Sequence, residues 1–285
     1  MKFSKETFAR GVFLFCAGAS AVMTSSVFLF MIVLGLPLFR GGTFLTVWTG
    51  QWAPHEGLYG ILPMIFGTLS IALLATALSL PLSLGTAFVV TGLGGSRLRG
   101  ILGALVRFMT AIPTVIYGFV GIFLLVPLIR GGLGGAGMCV LAAGIILAVL
   151  ISPTMILFFA DSLLAVNPAH VQAARALGAS RIQRLLYVML PKALGGMTTG
   201  FVLALGRALG DTLIALMLAG NAIGAPASLL DPARTLPAHI ALVKAADFDS
   251  LEFRSIFACG IALYLFTTAA VIAVRLLGRE RKGLP

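Results

Sequence analysis

Apolar runs long enough to cross a bilayer alternate with short polar connections along almost the whole chain. About 20 apolar residues cover a hydrocarbon core of about 30 Å. Six segments reach that length, at approximately 11–36, 60–91, 101–129, 138–160, 193–221 and 254–277. The second is long for a straight crossing, so it is expected to tilt, to project beyond the bilayer or to bend near Pro81. Pro113 and Pro153 fall inside spans, where neighbouring helices can satisfy the carbonyls they free. The connection at 161–192 breaks the pattern. Its stretch HVQAARALGASRIQRLLYVMLPK, residues 170–192, is polar to amphipathic and too regular for a passive linker.

That stretch reads as a helical hairpin presented outside the membrane. Asn167-Pro168 suits a helix start, with Asn capping free amides and Pro at the first helical position. The first helix runs to about Leu177, and Gly178 can take the left-handed conformation that ends it. Ser180 and Gln183 have capping-box spacing and predict a second helix. On it Ile182, Leu185, Leu186 and Met189 form one apolar face, with Arg181 and Arg184 off it, and Pro191 marks the way into the fifth span. A hairpin lying on lipid headgroups through its arginines is the alternative reading.

Composition agrees with the pattern and narrows the class. The chain is 59% hydrophobic and 10% charged, with a mean hydropathy of +1.08. Those values describe an all-α polytopic membrane protein with six transmembrane helices. The formal net charge of +11 is scattered between apolar spans, without a basic patch interleaved with aromatics, so nucleic acid is not an expected partner. Cys16, Cys139 and Cys259 fall in apolar stretches and read as packing residues. Lys2, Lys5 and Arg10 precede an apolar run too long for a signal peptide, which reads as a first membrane helix.

Lysine and arginine set the expected orientation. One side collects Lys2, Lys5, Arg10, Arg97, Arg99, Arg175, Arg181, Arg184, Lys192, Arg279, Arg281 and Lys282. The other has Arg40, Arg130, Arg234, Lys244 and Arg254 beside Glu56, Asp231, Asp247, Asp249 and Glu252. The excess puts both termini and the hairpin in the cytoplasm. Trp48, Trp52 and Tyr59 in the first outer loop suit an interfacial aromatic belt. No Walker A, HExxH or G-x-S-x-G pattern occurs, and His55, His170 and His239 are far apart and assigned to loops, so neither an enzyme nor a metal site is expected.

Gln172-Ala173-Ala174, three residues, Gly178, nine residues, then Val188-Met189-Leu190-Pro191 resembles the EAA loop of ABC-importer permeases. That family has Glu-Ala-Ala, three residues, Gly, nine residues, then Ile-x-Leu-Pro, so Gln172 and Val188 depart from it. The resemblance implies the type I ABC importer permease fold and a loop that docks on a cytoplasmic ATPase through Gln172, Ala173, Ala174, Gly178, Leu190 and Pro191. Three further stretches are similar to phosphate-importer permeases of the PstC type: Tyr59-Gly60-Ile61-Leu62-Pro63 with Gly67-Thr68-Leu69; 112–119, reading IPTVIYGF; and 206–212, reading GRALGDT, followed by Met217 and Ala219-Gly220-Asn221. Asp211 stands where those relatives have Glu, and Arg107 where they more often carry an acid; Arg107 is read as snorkelling to the interface.

The resemblance divides the chain into residues 1–58, a first membrane helix and periplasmic loop, and 59–285, the permease core with its coupling loop at 161–192. It implies an inorganic-phosphate importer of the bacterial inner membrane with a homologous PstA-like second permease, a dimer of cytoplasmic ATP-binding subunits and a periplasmic phosphate-binding protein. No cofactor is expected in this chain; ATP and Mg belong to the ATPase. The loops 37–59 and 222–253 would face the binding protein.

Independently of any family, Arg207 and Asp211 are the ionisable residues deep in the fifth span. Arg207 lies about 21 Å along a helix that starts near Ala193, around or beyond mid-bilayer. At i, i+4 spacing the two are expected to share a face and pair. An ionisable group at that depth costs about 2.5–3.5 kcal/mol on insertion scales. One reading makes Arg207 an oxyanion contact in a substrate pathway with Asp211 and Thr212, because its planar fork binds two oxygens at once. The other makes the pair a structural salt bridge. The same sequence leaves room for another oxyanion as cargo (molybdate, sulfate or phosphonate), for a non-transporting membrane scaffold, or for a secondary carrier, although no repeated half is visible.

Overall fold

The computed structural model describes residues 2–36, 44–244, 247 and 250–280. Arg40, Asp249, Arg281 and Lys282, used above for orientation, lie outside the described residues, as do parts of the loops 37–59 and 222–253. In chain order the elements are α1 (Lys2–Gly35), α2 (Phe44–Thr49), β1 (Trp52–Ala53), β2 (Leu58–Tyr59), α3 (Leu62–Leu93), α4 (Ser96–Ala111) and α5 (Thr114–Gly132). They continue with α6 (Val140–Leu164), α7 (Pro168–Ala176), α8 (Arg181–Gly210), α9 (Leu213–Leu218), α10 (Leu236–Val243) and α11 (Leu251–Glu280). The two strands form a small antiparallel ribbon with Trp52 opposite Tyr59. Six helices, α1, α3, α5, α6, α8 and α11, are long and apolar enough to cross a membrane, the number expected from the sequence.

Three boundaries differ from the sequence reading, and proline chemistry accounts for much of the difference. The third span does not run through 101–129. Its helix stops at Ala111, Ile112 is extended (φ −74°, ψ 125°), and a new helix begins at Thr114. The Pro113 ring disfavours helical backbone at the residue before it, which ends α4 there. The fifth span starts at Arg181 rather than near Ala193 and ends at Gly210, where Asp211 turns extended (φ −70°, ψ 124°). Pro191 therefore lies inside a helix instead of marking its start. A π-turn at Arg184–Met189 comes just before it, and another at Gly121–Leu125 just before Pro127. A widened turn relieves the clash between a proline ring and the preceding carbonyl. At Pro81, α3 stays helical throughout.

The core is built around α6, whose Leu147, Ile151, Met155, Phe159 and Leu163 are buried. The carbonyl of Val149 is the one Pro153 leaves without an amide, and Ser152 Oγ donates to it at 2.9 Å. Small residues let the neighbours close in. A side chain at Gly144 would strike Leu74 of α3; at Gly196 it would strike Ser162, and at Gly200 Phe158. The last two positions set the approach of α8 to α6. A hydroxyl seam adds to the α3–α6 contact, with Ser83 Oγ donating to Ser152 O at 3.3 Å.

A second cluster at the far end ties the ribbon, α3, α10 and α11 together. Trp52, Ile61, Met64, Leu236 and Cys259 are buried there. Trp52 is thus not part of a lipid-facing belt: it stands edge-on to the His239 ring at 4.3 Å. His239 belongs to a helix rather than a loop and is fully buried, with Nε2 and Ser255 Oγ 3.2 Å apart. Burial, aided by the Arg234 charge, pushes its pKa down from 6.5 to about 3, so it is a neutral packing group at physiological pH. Thr68 Oγ1 accepts from Leu236 N at 2.8 Å, fastening the start of α10 to α3. By contrast α1 lies on the outside against α11, through Phe28 on Tyr264 (ring centroids 4.2 Å apart) and Met31 at Gly260. Cys16 is exposed on α1 rather than packed, while Cys139 and Cys259 are buried and free.

If the glycine contacts set the α6–α8 distance, Gly200→Val should destabilise the bundle by about 1–3 kcal/mol through overpacking. Gly85→Val, where open space surrounds the position, is the matched control. Thermal unfolding of the detergent-solubilised chain should show a lowered midpoint for the first and little change for the second.

Candidate functional site

Two breaks and a proline bring polar groups together inside an otherwise apolar bundle. The close approach at Gly196 and Gly200 carries Arg207, three residues from the end of α8, alongside α6. Its Nη1 donates to Thr154 Oγ1 at 3.5 Å, the outer limit of a hydrogen bond. Thr154 follows Pro153 and lies about 21 Å along α6 at the helical rise, close to the middle of that helix. The packing sets Arg207 beside the middle of α6, about 39 Å along a helix that starts at Arg181 rather than about 21 Å along one that starts near Ala193.

The expected Arg207–Asp211 salt bridge does not form. Helical i, i+4 geometry requires a continuous helix, and α8 ends between the two residues. Asp211 Oδ1 instead accepts from Ile214 N at 2.8 Å and caps α9. Thr212 begins that short helix, its carbonyl accepting from Leu216 N at 2.9 Å. Arg207 remains within electrostatic reach of Asp211 and also of Tyr117. The Tyr117 hydroxyl donates to Met109 O at 3.0 Å, spanning the Ile112–Pro113 break and fastening α5 to α4. The guanidinium is thus exposed, lightly committed and without a carboxylate ion pair among the described residues. Chemically, it is a fork of donors suited to a planar or tetrahedral oxyanion.

Thr154 and Tyr117 were not singled out in the sequence. A hydroxyl beside an intrahelical proline was a usable signal for the first. The second sat unremarked within the stretch Ile112-Pro113-Thr114-Val115-Ile116-Tyr117.

The hairpin follows its local sequence closely. Asn167 Oδ1 accepts from Ala169 N at 2.9 Å, and α7 follows. Gly178 is left-handed (φ 83°). Ala179 N donates to Ala174 O and Gly178 N to Arg175 O, each at 3.0 Å, which completes a Schellman ending. Both capping-box bonds between Ser180 and Gln183 are present, at 2.8 and 3.3 Å. Gln172 and Ala173 are exposed, Ala174 and Leu190 half-buried, and Pro191 exposed. Of the apolar face expected on the second helix only Leu185 is buried; Ile182 and Leu186 are exposed and Met189 is half-buried. Leu177 at the tip, read from the sequence only as the end of the first helix, is 88% exposed. A cavity of about 650 Å³ opens beside the hairpin between α6 and α8, with Asp161, Ser162, Asn167, His170 and Lys192 in its lining.

Comparison with known proteins agrees with this architecture. The family profile described as "Binding-protein-dependent transport system inner membrane component" matches residues 80–283. The chain is 32% identical over 290 residues to the phosphate transport system permease protein PstC of Pasteurella multocida, covering 95% of this chain and 88% of that one. It is 31% identical over 236 residues to the probable ABC transporter permease protein YqgH of Bacillus subtilis, covering 81% and 76%. A crystal structure of a bacterial alginate ABC transporter, in complex with its pentasaccharide-bound periplasmic protein, superposes with a TM-score of 0.66 over 96% of each chain at 16% identity, a likeness of fold. With six membrane-length helices, a capped hairpin between the fourth and fifth, and a profile match over most of its length, the chain belongs to the binding-protein-dependent transport system inner membrane component family, the multi-pass permeases of ABC importers.

Proposed function

We propose that this chain is the PstC-type permease subunit of an ATP-driven importer of inorganic phosphate in the bacterial inner membrane. Both termini and the hairpin face the cytoplasm, in line with the surplus of Lys and Arg at that end. A homologous PstA-like permease completes the pathway, a periplasmic phosphate-binding protein delivers cargo to the far end, and a cytoplasmic ATPase dimer holds ATP and Mg. Residues 1–58 form an added helix and loop, and 59–285 the transport core. The relatives named for phosphate transport support the cargo. The observation that carries the reading is Arg207, a guanidinium at mid-bundle with one long contact and no ion pair among the described residues.

An uncompensated arginine at such depth calls for an anion or water-filled space beside it. Phosphate supplies charge and two oxygens for the fork. Asp211, occupied by Ile214 N, keeps its carboxylate on the α9 cap and holds the break that ends α8 next to Arg207. Thr154 and Thr212 add hydroxyl-bearing side chains near the same place. Coupling is mechanical. The helix that begins at the Ser180 cap is the helix that carries Arg207, so Arg181–Gly210 acts as one rod of about 45 Å between the ATPase and the cargo. ATP binding and hydrolysis move α7, through Gln172, Ala173, Ala174 and the exposed Leu177; Gly178 sets the bend, and Leu190 and Pro191 begin the regular helix above it.

In proteoliposomes holding all partners, ATP-dependent uptake of labelled phosphate should drop about tenfold or more in Arg207→Lys, which keeps charge but loses the fork, and to background in Arg207→Gln. Normal uptake in both at normal protein levels rejects the pathway role. Gly178→Val puts a β-branched residue where φ is 83°, at a cost of at least about 1–2 kcal/mol to the hairpin bend. Uptake should fall with phosphate-dependent ATPase activity while the permease still assembles; unchanged coupling rejects the hairpin's role.

A further inference from the structure

The hairpin from 165 to 192 carries Arg175, Arg181, Arg184 and Lys192 and no acidic residue at all. Two of these cations line one cavity of about 220 Å³, walled also by Thr91 and Gly92 of α3, Val171 of α7 and Leu185 of α8. No carboxylate lines it. Asp161, the acid nearest the hairpin in sequence, lines the separate cavity between α6 and α8. Arg184 Nη1 donates to Ala179 O at 2.7 Å, which anchors the guanidinium and leaves its remaining N–H groups uncommitted. The Arg181 side chain makes no hydrogen bond among the described residues. At Gly92 the wall is bare backbone, with open space where a side chain would project.

Two arginines lining one partly enclosed space bring like charges close together, and an anion between them replaces that repulsion with attraction to both. Their forks match the oxygens of a phosphate group, and their charge is permanent. The volume equals that of about seven waters, enough for a tetrahedral oxyanion with part of its hydration shell and too small for a nucleotide. Two of the three helical walls are π-turns, Val89–Leu93 and Arg184–Met189, a distortion that recurs at functional sites.

We propose that this cavity binds a phosphate group held by Arg181 and Arg184, and that an occupied cavity ties the hairpin helix α7 to the ends of α3 and α8. The group comes either from free inorganic phosphate on the hairpin side or from the headgroup of an anionic phospholipid. The site is distinct from Arg207 and does not depend on what the chain transports.

Occupancy is read on the full-length chain, assembled with its partners in nanodiscs without nucleotide, in an Arg207→Gln background that removes the oxyanion contact proposed above. In one arm the discs contain only phosphatidylcholine and labelled inorganic phosphate is titrated. In the other, phosphate is omitted, phosphatidylglycerol is mixed into the discs, and the phosphatidylglycerol retained after detergent extraction is counted by mass spectrometry. One arm should show binding that Arg181→Gln weakens about tenfold or more and Arg175→Gln, outside the cavity, leaves unchanged. Arg181→Gln breaks no internal bond, so folding is not in question. Saturation in the first arm identifies free phosphate, and retention in the second alone identifies lipid. Absence of Arg181-dependent binding in both arms, or equal loss with Arg175→Gln, overturns the proposal.

Discussion

Hydrocarbon contains no water to satisfy a free amide or carbonyl, so a membrane helix can be interrupted only where protein or a hydrated cavity takes over its hydrogen bonds. The bundle depends on this constraint at three places. The Ile112–Pro113 break is spanned by the Tyr117 hydroxyl on Met109 O; after the Gly210–Asp211 break the Asp211 carboxylate takes up Ile214 N at the start of α9; and Ser152 Oγ takes up the carbonyl freed by Pro153. Each repair uses a side chain of the chain itself. Two of the three lie around Arg207, and the residue after Pro153 is its hydrogen-bond partner. The polar centre of the molecule is thus assembled by the repairs that its interruptions require.

Close packing then decides where that centre sits. Glycines at 196 and 200 let α8 lie against α6, so an arginine near the end of one helix meets the midpoint of the other. Because α8 also begins at the capped hairpin, it passes through both ends of the proposed machine. Two devices keep the long helix continuous at its lower end: the capping box at Ser180 and the π-turn that accommodates Pro191. In the proposed mechanism a displacement of α7 therefore passes through one bend, at Gly178, and then along a single helix to Arg207.

What the sequence revealed and what it hid follow from the range of each interaction. The hairpin was readable residue by residue because Asn167, Gly178, Ser180 and Gln183 act on backbone groups within a few positions. The number of membrane helices was readable because length and apolarity suffice for it. Arg207 stood out because a charge in an apolar run is conspicuous. Its partner did not. The pairing with Asp211 assumed an unbroken helix, while the actual partner, Thr154, comes from a segment more than fifty positions away. The His239–Trp52 contact likewise arises from tertiary packing, for which no local pattern exists.

The central claim is that motion at the hairpin changes which side of the membrane reaches the centre beside Arg207. It is tested most directly by a Thr154→Cys substitution in a chain whose Cys16, Cys139 and Cys259 are replaced, assembled with its partners in sealed vesicles. A membrane-impermeant thiol reagent is applied from either side, with and without a nonhydrolysable ATP analogue and Mg in the presence of the loaded binding protein. The account predicts labelling from one side without nucleotide and from the opposite side when a nonhydrolysable ATP analogue is trapped. Labelling from the same side in both states, at equal rates, would contradict it.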